Sequence, residues 1–201
     1  KKMVELIREL SPKSKIIIGG HCTSIPGIES LVDSDYISKG EGVSWFRRML
    51  GEETDKPVRH PALYSTLQRS IMGVPQPATA GVIIPGLGCI NACSFCATSH
   101  HFDKKYVGYL NTGKELYAAL CEIEKKLGCY EFFVMDENFL KNLPRAKELL
   151  AEMERDNKYF YMGVFSSAET VAACGVEFMA KLGIDFVWIG IESKQSMFAK
   201  T

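Results

Sequence analysis

The amino-acid sequence predicts an α/β protein, made of the tail of one parallel α/β unit, a linker, and a longer strand–helix repeat that curls toward a partial barrel. Three observations support this fold class. Short β-branched or aromatic runs alternate with helical patterns of apolar residues along most of the chain. Glycine or polar residues follow most of these runs, where a parallel sheet carries its ligand sites. A proline-rich stretch separates the two groups of strands and helices.

The composition is typical of a globular protein. The 201 residues are 46% hydrophobic and 24% charged with a formal net charge of zero, so no basic surface indicates a nucleic-acid partner. No apolar run approaches the roughly 20 residues of a membrane span. Seven cysteines with one tight cluster indicate a reduced, cytoplasmic protein with a metal site rather than a secreted disulfide scaffold. Because the chain starts at Lys1, in the middle of a helical pattern, we expect it to be a piece of a longer protein.

Residues 1–50 show the tail of a parallel α/β unit. Helices are expected at 2–10, 26–32 and 43–50, and strands at 15–18 and 35–38. Glycine-bearing loops follow both strands, with Gly19, Gly20 and Thr23 in the first loop and Gly40, Glu41 and Gly42 in the second. Loops at the carboxyl ends of neighbouring parallel strands form a ligand-binding crevice. The alternative is that the glycines only form turns and that Glu41 caps the following helix.

Residues 51–78 are predicted to be a linker that contains a domain boundary. A charged run covers 52–56. Prolines then break any helix or inner strand, at Pro57, Pro61, Pro75 and Pro77.

Residues 79–201 repeat strands and helices. Strands are expected at 80–84, 131–135, 159–165 and 185–191, and helices at 112–127, 143–156 and 168–182. The helix at 112–127 opens with a capping box, Thr112 to Glu115. The carboxyl ends of the strands carry the chemistry of such folds. They hold the cysteine loop, Asp136-Glu137-Asn138, Ser166-Ser167 and Glu192. Asp136 and Glu137 could instead be acids that favour a helix start.

The cysteine loop carries Cys89, Cys93 and Cys96 on one short stretch. Thiolates are the soft ligands that iron and zinc sites select. Three thiolates cannot close a four-ligand site, so either another side chain completes it or one position stays open for a substrate. His100 or His101 could complete a zinc site, which would make the chain a zinc-stapled α/β binding module without catalysis. The other cysteines are interpreted as small buried residues: Cys22, Cys121, Cys129 and Cys174.

The pattern Cys89-x-x-x-Cys93-x-x-Cys96, with Phe95 before the last cysteine, resembles the cluster loop of the radical S-adenosylmethionine (radical SAM) superfamily. The resemblance covers residues 79–201 and implies the first half of a parallel (β/α) barrel. The segments 19–26 and 36–42 resemble the C-terminal half of the doubly wound, Rossmann-like, cobalamin-binding domain that precedes the barrel in one subgroup. The segment 187–193 resembles the fourth barrel strand of that subgroup.

The resemblance implies ligands for each group of residues. Cys89, Cys93 and Cys96 would hold a 4Fe–4S cluster, whose fourth iron binds S-adenosyl-L-methionine. The residues implied for S-adenosylmethionine are Phe95 near the adenine, Asp136, Glu137 and Asn138 near the amino group, and Ser166 and Glu192 near the methionine or ribose. The residues implied for cobalamin are Gly19, Gly20, Thr23, Gly40, Glu41 and Gly42. Ser166-Ser167 stand where the family often has a basic residue.

The resemblance also implies an activity. The protein would be a transferase that cleaves S-adenosylmethionine reductively and moves a methyl group to an unactivated carbon of a small-molecule or peptide substrate. An electron donor such as flavodoxin or ferredoxin would reduce the cluster. A radical SAM enzyme without functional cobalamin is the alternative, with methylthiolation, another sulfur insertion or a rearrangement as its reaction.

Overall fold

A computed structural model describes residues 1–71 and 74–191. The protein is α/β, with a mixed, mostly parallel central sheet and eight α-helices in this part of the chain, so the predicted class is confirmed. The chain forms two compact units. The first contains residues 1–56 and 88–106, and the second contains the described residues of 57–87 and 107–191.

The first unit contains a short parallel pair of strands and four of the helices. Its elements are α1 (Lys2–Leu10), β1 (Ile17–Gly19), a 3-10 turn (His21–Ser24), α2 (Ile28–Leu31), β2 (Tyr36–Ser38), α3 (Gly42–Met49) and α4 (Ala97–His101). β1 and β2 pair in parallel, as the sequence predicts. The helix expected at 26–32 is shorter than predicted, because the 3-10 turn and Gly27 precede it.

Asp35 connects α1 to the strand pair. Its carboxylate accepts the Ile16 N–H at 2.9 Å, the Lys15 ammonium at 3.0 Å and the Arg8 guanidinium at 2.9 Å. The Ile16 hydrogen bond, followed by those from Lys15 and Arg8, holds the pKa of Asp35 well below its usual range. The acid is therefore ionised at neutral pH and fixes the start of β1.

The second unit contains the central sheet. Its strands are β3 (Leu63–Ile71), β4 (Val74–Ile83), β5 (Gly86–Leu87), β6 (Val107–Gly108), β7 (Glu131–Val134), β8 (Tyr161–Ser166) and β9 (Ile184–Ile189). Its helices are α5 (Gly113–Leu127), α6 (Leu143–Arg155), α7 (Ala168–Cys174) and α8 (Val176–Lys181). The sheet order is β3-β4-β7-β8-β9, in which β3 and β4 are antiparallel and the other neighbours are parallel. β5 and β6 form a separate antiparallel pair.

The core of the second unit lies between this sheet and its helices. Alternate residues of β7 are buried, Phe132 and Val134, as expected for a period of two, whereas β8 buries three successive residues at 162–164. The core residues include Ile83, Phe132, Val134, Met162 and Val164 from strands and Leu116, Leu120, Leu149 and Met153 from helices. A Cβ at Gly113 would lie 2.2 Å from the Leu149 backbone nitrogen, so glycine permits the close approach of α5 and α6.

The predicted capping box of α5 is confirmed. The Thr112 hydroxyl accepts the Glu115 N–H at 3.1 Å, and the Glu115 carboxylate accepts the Thr112 N–H at 3.0 Å. The helix ends at Gly128, whose φ of 65° is the left-handed conformation of a helix C-terminus. Pro144 lies in the first turn of α6, where its missing N–H has no partner to lose.

Residues 51–78, which the sequence predicts to be a linker without inner strands, contain strand residues. β3 and half of β4 lie in this stretch. β7 pairs with β4 only at 81–83, so Pro75 and Pro77 lie where β3 is the one neighbour of β4 among the described strands. Proline is tolerated there because a missing N–H can face the unpaired edge. The domain boundary placed within 51–78 stays a prediction.

The single helix expected at 168–182 is two helices, α7 and α8. Gly175 lies between them with φ 76° and ψ 152°, a backbone conformation that favours glycine and ends α7. The pattern of apolar residues continues through this glycine, so the periodicity alone predicts one helix. In the described part of the chain, none of the helices combines the length and apolar character needed to cross a membrane.

Candidate functional site

The cysteine loop is organised by main-chain hydrogen bonds and by helix α4. Cys96 is the N-cap of α4, and its Sγ accepts the Ser99 N–H at 3.5 Å. The Cys89 Sγ accepts the Asn91 N–H at 3.5 Å, and the Ser99 hydroxyl donates to the Cys89 carbonyl at 3.1 Å. Two of the three sulfurs therefore accept a main-chain hydrogen bond.

The loop backbone has an unusual conformation at both ends of Cys89-Ile90-Asn91. Gly88 has a φ of 83°, and a Cβ there would lie 2.3 Å from the Lys105 carbonyl oxygen. Ala92 has a φ of 54°, which is uncommon for a residue with a side chain. Such conformations persist where the surroundings impose them, often at functional sites.

The donor set of the loop fits an iron–sulfur cluster in its chemistry. All seven cysteines are present as thiols. Cys93 is buried, Cys89 and Cys96 are half-buried, and Phe95 is 47% exposed. Shielded thiolates with hydrogen-bond donors are the ligands that such clusters use. The sulfurs are not gathered around one point: within residues 1–71 and 74–191, no three or more His, Cys, Asp or Glu residues are arranged to hold a metal ion.

Four side chains, which we call the clasp, join α4 to the 3-10 turn at His21–Ser24: His21, Ser24, Thr98 and His101. The Ser24 Oγ and His101 Nδ1 atoms are 3.1 Å apart, and the His21 Nε2 and Thr98 Oγ1 atoms are 3.3 Å apart. The rings of His21 and His101 stack with centroids 4.7 Å apart. The cysteine loop is therefore attached to the turn that follows β1.

The two glycine loops of the first unit have conformations that glycine allows. Gly20 has a φ of 78° and Gly40 a φ of 75°. Gly19 is the last residue of β1, and Gly42 is the first residue of α3. Thr23 is buried, and its hydroxyl donates to the Gly20 carbonyl at 2.8 Å. These contacts make the first loop compact.

Glu41 is the N-cap of α3. Its carboxylate accepts the N–H of Val43 at 2.6 Å and that of Ser44 at 2.8 Å. The capping role that the sequence left open for Glu41 is therefore confirmed. A contact between cobalamin and Glu41, or the five other residues assigned to it, stays a prediction.

Asp136 follows β7 and forms a buried ion pair with Arg145. The Arg145 Nη2 and Asp136 Oδ2 atoms are 2.6 Å apart, and the side chains are 1% and 2% exposed, respectively. The Asp136 Oδ1 accepts the Asn138 N–H at 3.1 Å, and Arg145 Nη1 donates to the Leu110 carbonyl at 3.3 Å. The Asp136 carboxylate thus holds the turn after β7 against the start of α6.

Asn138 joins the carboxyl ends of β7 and β8. Its Oδ1 accepts the Ser166 hydroxyl at 2.8 Å and the Ser167 N–H at 3.2 Å, and its Nδ2 donates to the Ser167 hydroxyl at 3.2 Å. The Ser167 and Thr170 hydroxyls are 2.7 Å apart. The structure therefore brings together two of the predicted strand ends, and Asn138 and Ser166 are both buried.

Glu137 differs from its two neighbours because it is exposed, whereas Asp136 and Asn138 are buried. Among the three residues predicted at this strand end, Glu137 is the exposed one. Glu192, predicted at the end of the fourth strand, lies outside the described residues.

The predicted site residues fall into two sets. The first unit contains the three cysteines, Phe95 and the six residues assigned to cobalamin. The second unit contains Asp136, Glu137, Asn138 and Ser166. The sequence analysis places the cysteine loop with the strand–helix repeat of residues 79–201, whereas the structure groups the loop with the first unit. The reason is that α4 contacts the 3-10 turn of the first unit.

His60 terminates β4 just before the cysteine loop. Its Nε2 accepts the Ile84 N–H at 2.8 Å, and its Nδ1 lies 2.7 Å from the Pro61 carbonyl oxygen. The ring is therefore neutral, with its proton on Nδ1. Burial lowers the pKa of His60, against smaller opposite effects of the Pro61 carbonyl and of Glu122.

We expect the folded protein to lose stability as the pH falls below the ordinary histidine pKa of 6.5. The pKa of His60 is lower in the folded protein than in the unfolded chain. The stability that neutral His60 contributes is therefore fully present above pH 6.5 and is lost as the pH falls through the folded-state pKa. The lost hydrogen bond contributes about 1 kcal/mol. The difference in the free energy of unfolding between pH 7.5 and pH 5.5, determined by urea unfolding, measures this loss of stability. His60→Gln, which can accept the N–H without titrating, should reduce the pH dependence, and an unchanged dependence would contradict the assignment.

The sequence analysis missed several residues that organise the site. Arg145 could have been recognised, because it precedes Leu149 by four residues and Met153 by eight and so lies on the buried face of its helix. A charge on that face requires a partner. The stacking of His21 on His101 has no sequence signal, because 80 residues of chain separate the two rings.

Comparison of the chain with models of protein families, with curated proteins and with solved structures gives no match in any of the three cases.

Proposed function

We propose that the protein is a radical SAM enzyme whose cysteine loop holds a 4Fe–4S cluster. The observation that carries this proposal is the loop itself, which presents three thiols within eight residues, two of them with main-chain N–H donors. Along the chain, β4 of the mostly parallel sheet precedes the loop, with the short β5 between them, and a strand–helix repeat follows. A structural zinc site explains neither the repeat nor the polar strand ends.

The cluster and S-adenosylmethionine supply the chemistry when bound: reduction of the cluster cleaves the sulfonium of S-adenosylmethionine to methionine and a carbon radical. The three cysteines leave one iron open to S-adenosylmethionine. Main-chain N–H groups donate to the Cys89 and Cys96 sulfurs and help to position them as cluster ligands.

The polar strand ends support the binding of the methionine and ribose groups of S-adenosylmethionine. We assign the exposed Glu137 to the amino group, because a carboxylate forms charge-assisted hydrogen bonds with ammonium. Asp136 and Asn138 act as positioning residues, since both are buried and hydrogen-bonded to neighbouring elements, Asp136 to Arg145 and Asn138 to Ser166. Phe95, which is 47% exposed beside Cys96, is assigned to the adenine.

The first unit supports cobalamin binding and, through it, methyl transfer. Its parallel strands β1 and β2 end in loops with glycines at positive φ, a setting in which parallel sheets bind ligands. In this proposal the unit is the C-terminal half of a Rossmann-like domain, and the sheet of the second unit is part of a radical SAM barrel. The substrate is a small molecule or peptide with an unactivated carbon, and a flavodoxin or ferredoxin supplies the electron.

Iron and acid-labile sulfide content after anaerobic reconstitution tests the proposal. About four of each per chain are expected, with the broad visible absorption of a 4Fe–4S cluster. Reductive cleavage of S-adenosylmethionine by the same sample is the second measurement. One zinc and no sulfide would overturn the radical reaction. A cluster without retained hydroxocobalamin would leave the radical SAM assignment and remove the methyl transfer.

A further inference from the structure

We propose that the clasp couples the two cofactor sites of the first unit, so that cobalamin at the turn after β1 slows metal loss from the cysteine loop. The clasp residues are positioning residues, since none is assigned to a cofactor. This inference rests on the proposed function and adds a regulation of the same site. It involves residues that the resemblance does not assign, namely His21, Ser24, Thr98 and His101.

One side of the clasp belongs to the turn assigned to cobalamin. His21 and Ser24 begin and end the 3-10 turn, which starts directly after Gly20. The Thr23 N–H and hydroxyl both hydrogen-bond to the Gly20 carbonyl, at 3.0 and 2.8 Å. Because the turn is closed in this way, a ligand that fixes Gly20 and Thr23 also restricts His21 and Ser24.

The other side of the clasp belongs to the helix that supports the cysteines. Thr98 and His101 lie in α4, which Cys96 caps. Between them, Ser99 reaches both ends of the loop through its N–H to the Cys96 sulfur and its hydroxyl to the Cys89 carbonyl. A displacement of α4 would therefore move two of the three proposed ligands.

The contacts across the clasp are specific in geometry. Two separate polar contacts, of 3.1 and 3.3 Å, flank a histidine pair whose ring planes differ by 22°. His101 is buried, and Phe102 packs edge-on against it with centroids 4.9 Å apart. Ordering one side of such a contiguous network restricts the other, and the resulting coupling is reciprocal.

The experiment measures iron release to a chelator from the reconstituted 201-residue chain, with and without hydroxocobalamin. We expect cobalamin to slow release by about tenfold, within the usual range of coupling between two sites. By reciprocity the cluster should tighten cobalamin binding by a similar factor. Hydrogen exchange of peptides covering 19–24 and 97–102 should show protection of each segment when the other site is filled.

The double variant Ser24→Ala, His101→Phe keeps an aromatic ring against His21 but removes the Ser24–His101 hydrogen bond. In this variant the ratio of the iron-release rates without and with hydroxocobalamin should fall toward one, although both cofactors still bind. His100→Ala is the matched control, because His100 is an exposed histidine of the same helix, and its ratio should equal that of the unaltered chain. Unchanged hydrogen exchange in the second unit would show that the double variant is folded.

Three outcomes would overturn the inference. A ratio of one in the unaltered chain would refute the coupling while leaving cluster and cobalamin binding intact. The same tenfold ratio in a variant that also carries Thr98→Val, and so lacks both polar contacts of the clasp, would show that coupling does not pass through the clasp. Failure to bind either cofactor would remove the proposed function itself, and the coupling with it.

Discussion

Replacement of Cys93 by alanine is expected to abolish cluster assembly. Iron and sulfide should fall from about four of each per chain to less than about one, because two cysteines cannot hold the cluster. Cleavage of S-adenosylmethionine should fall by more than about 100-fold, the upper range for partners that only support a metal ligand. Cys93 is the most buried of the three cysteines, so its loss also exposes the cluster to water.

Cys174→Ala is the matched control, because Cys174 is a half-buried thiol in α7 of the second unit. Burial raises the pKa of Cys174, so it stays a thiol and is not expected to bind metal. Iron content should match that of the unaltered chain. A Cys93→Ala protein that retained four irons would show that the loop does not hold the cluster and would refute the proposed function.

Removal of the Asp136 carboxylate is expected to destabilise the second unit by about 3–5 kcal/mol. Asp136→Ala leaves the Arg145 guanidinium charged in the core, and breaking a buried ion pair from one side carries a cost of this size. The midpoint of urea unfolding should fall while the slope m stays constant. If Asp136 instead only contacted S-adenosylmethionine, the variant would lose affinity without losing stability.

Two further variants distinguish the effect of the Asp136–Arg145 ion pair on stability from an effect on the binding of S-adenosylmethionine. Replacement of both partners, Asp136→Leu with Arg145→Met, should recover much of the lost stability, because apolar residues can replace a buried ion pair at little cost. Glu137→Gln should change the free energy of unfolding by less than about 0.5 kcal/mol, as usual for a surface substitution. The same variant should weaken binding of S-adenosylmethionine without destabilising the fold.

The sequence predicts the α/β class and most helices and strands because their signals are local. The capping box at Thr112 and the strands at 131–134 and 184–189 depend on neighbouring residues alone. β3 was missed because proline is informative about hydrogen bonding only when the neighbouring strand is known. The break at Gly175 was missed because a glycine within a helical pattern is often tolerated.

The site is predicted less completely than the fold, since its contacts connect distant parts of the chain. The sequence places Asn138 and Ser166 at neighbouring strand ends, and the structure joins them by a 2.8 Å hydrogen bond. The sequence does not show that Asp136 pairs with Arg145, because the residue types at a strand end do not indicate which side chains are buried. The clasp depends on the attachment of α4 to a turn that precedes it by more than 70 residues.

The hydrogen-bond donors to the cysteine sulfurs have a consequence for how the loop tolerates sequence change. The donors at Asn91 and Ser99 are main-chain N–H groups, so each persists whichever side chain occupies the position. Proline, which lacks the N–H, is the exception. The environment of the Cys89 and Cys96 sulfurs therefore depends on the path of the backbone. Asn91 can diverge while that environment is preserved, whereas Ser99 also holds the Cys89 carbonyl through its hydroxyl.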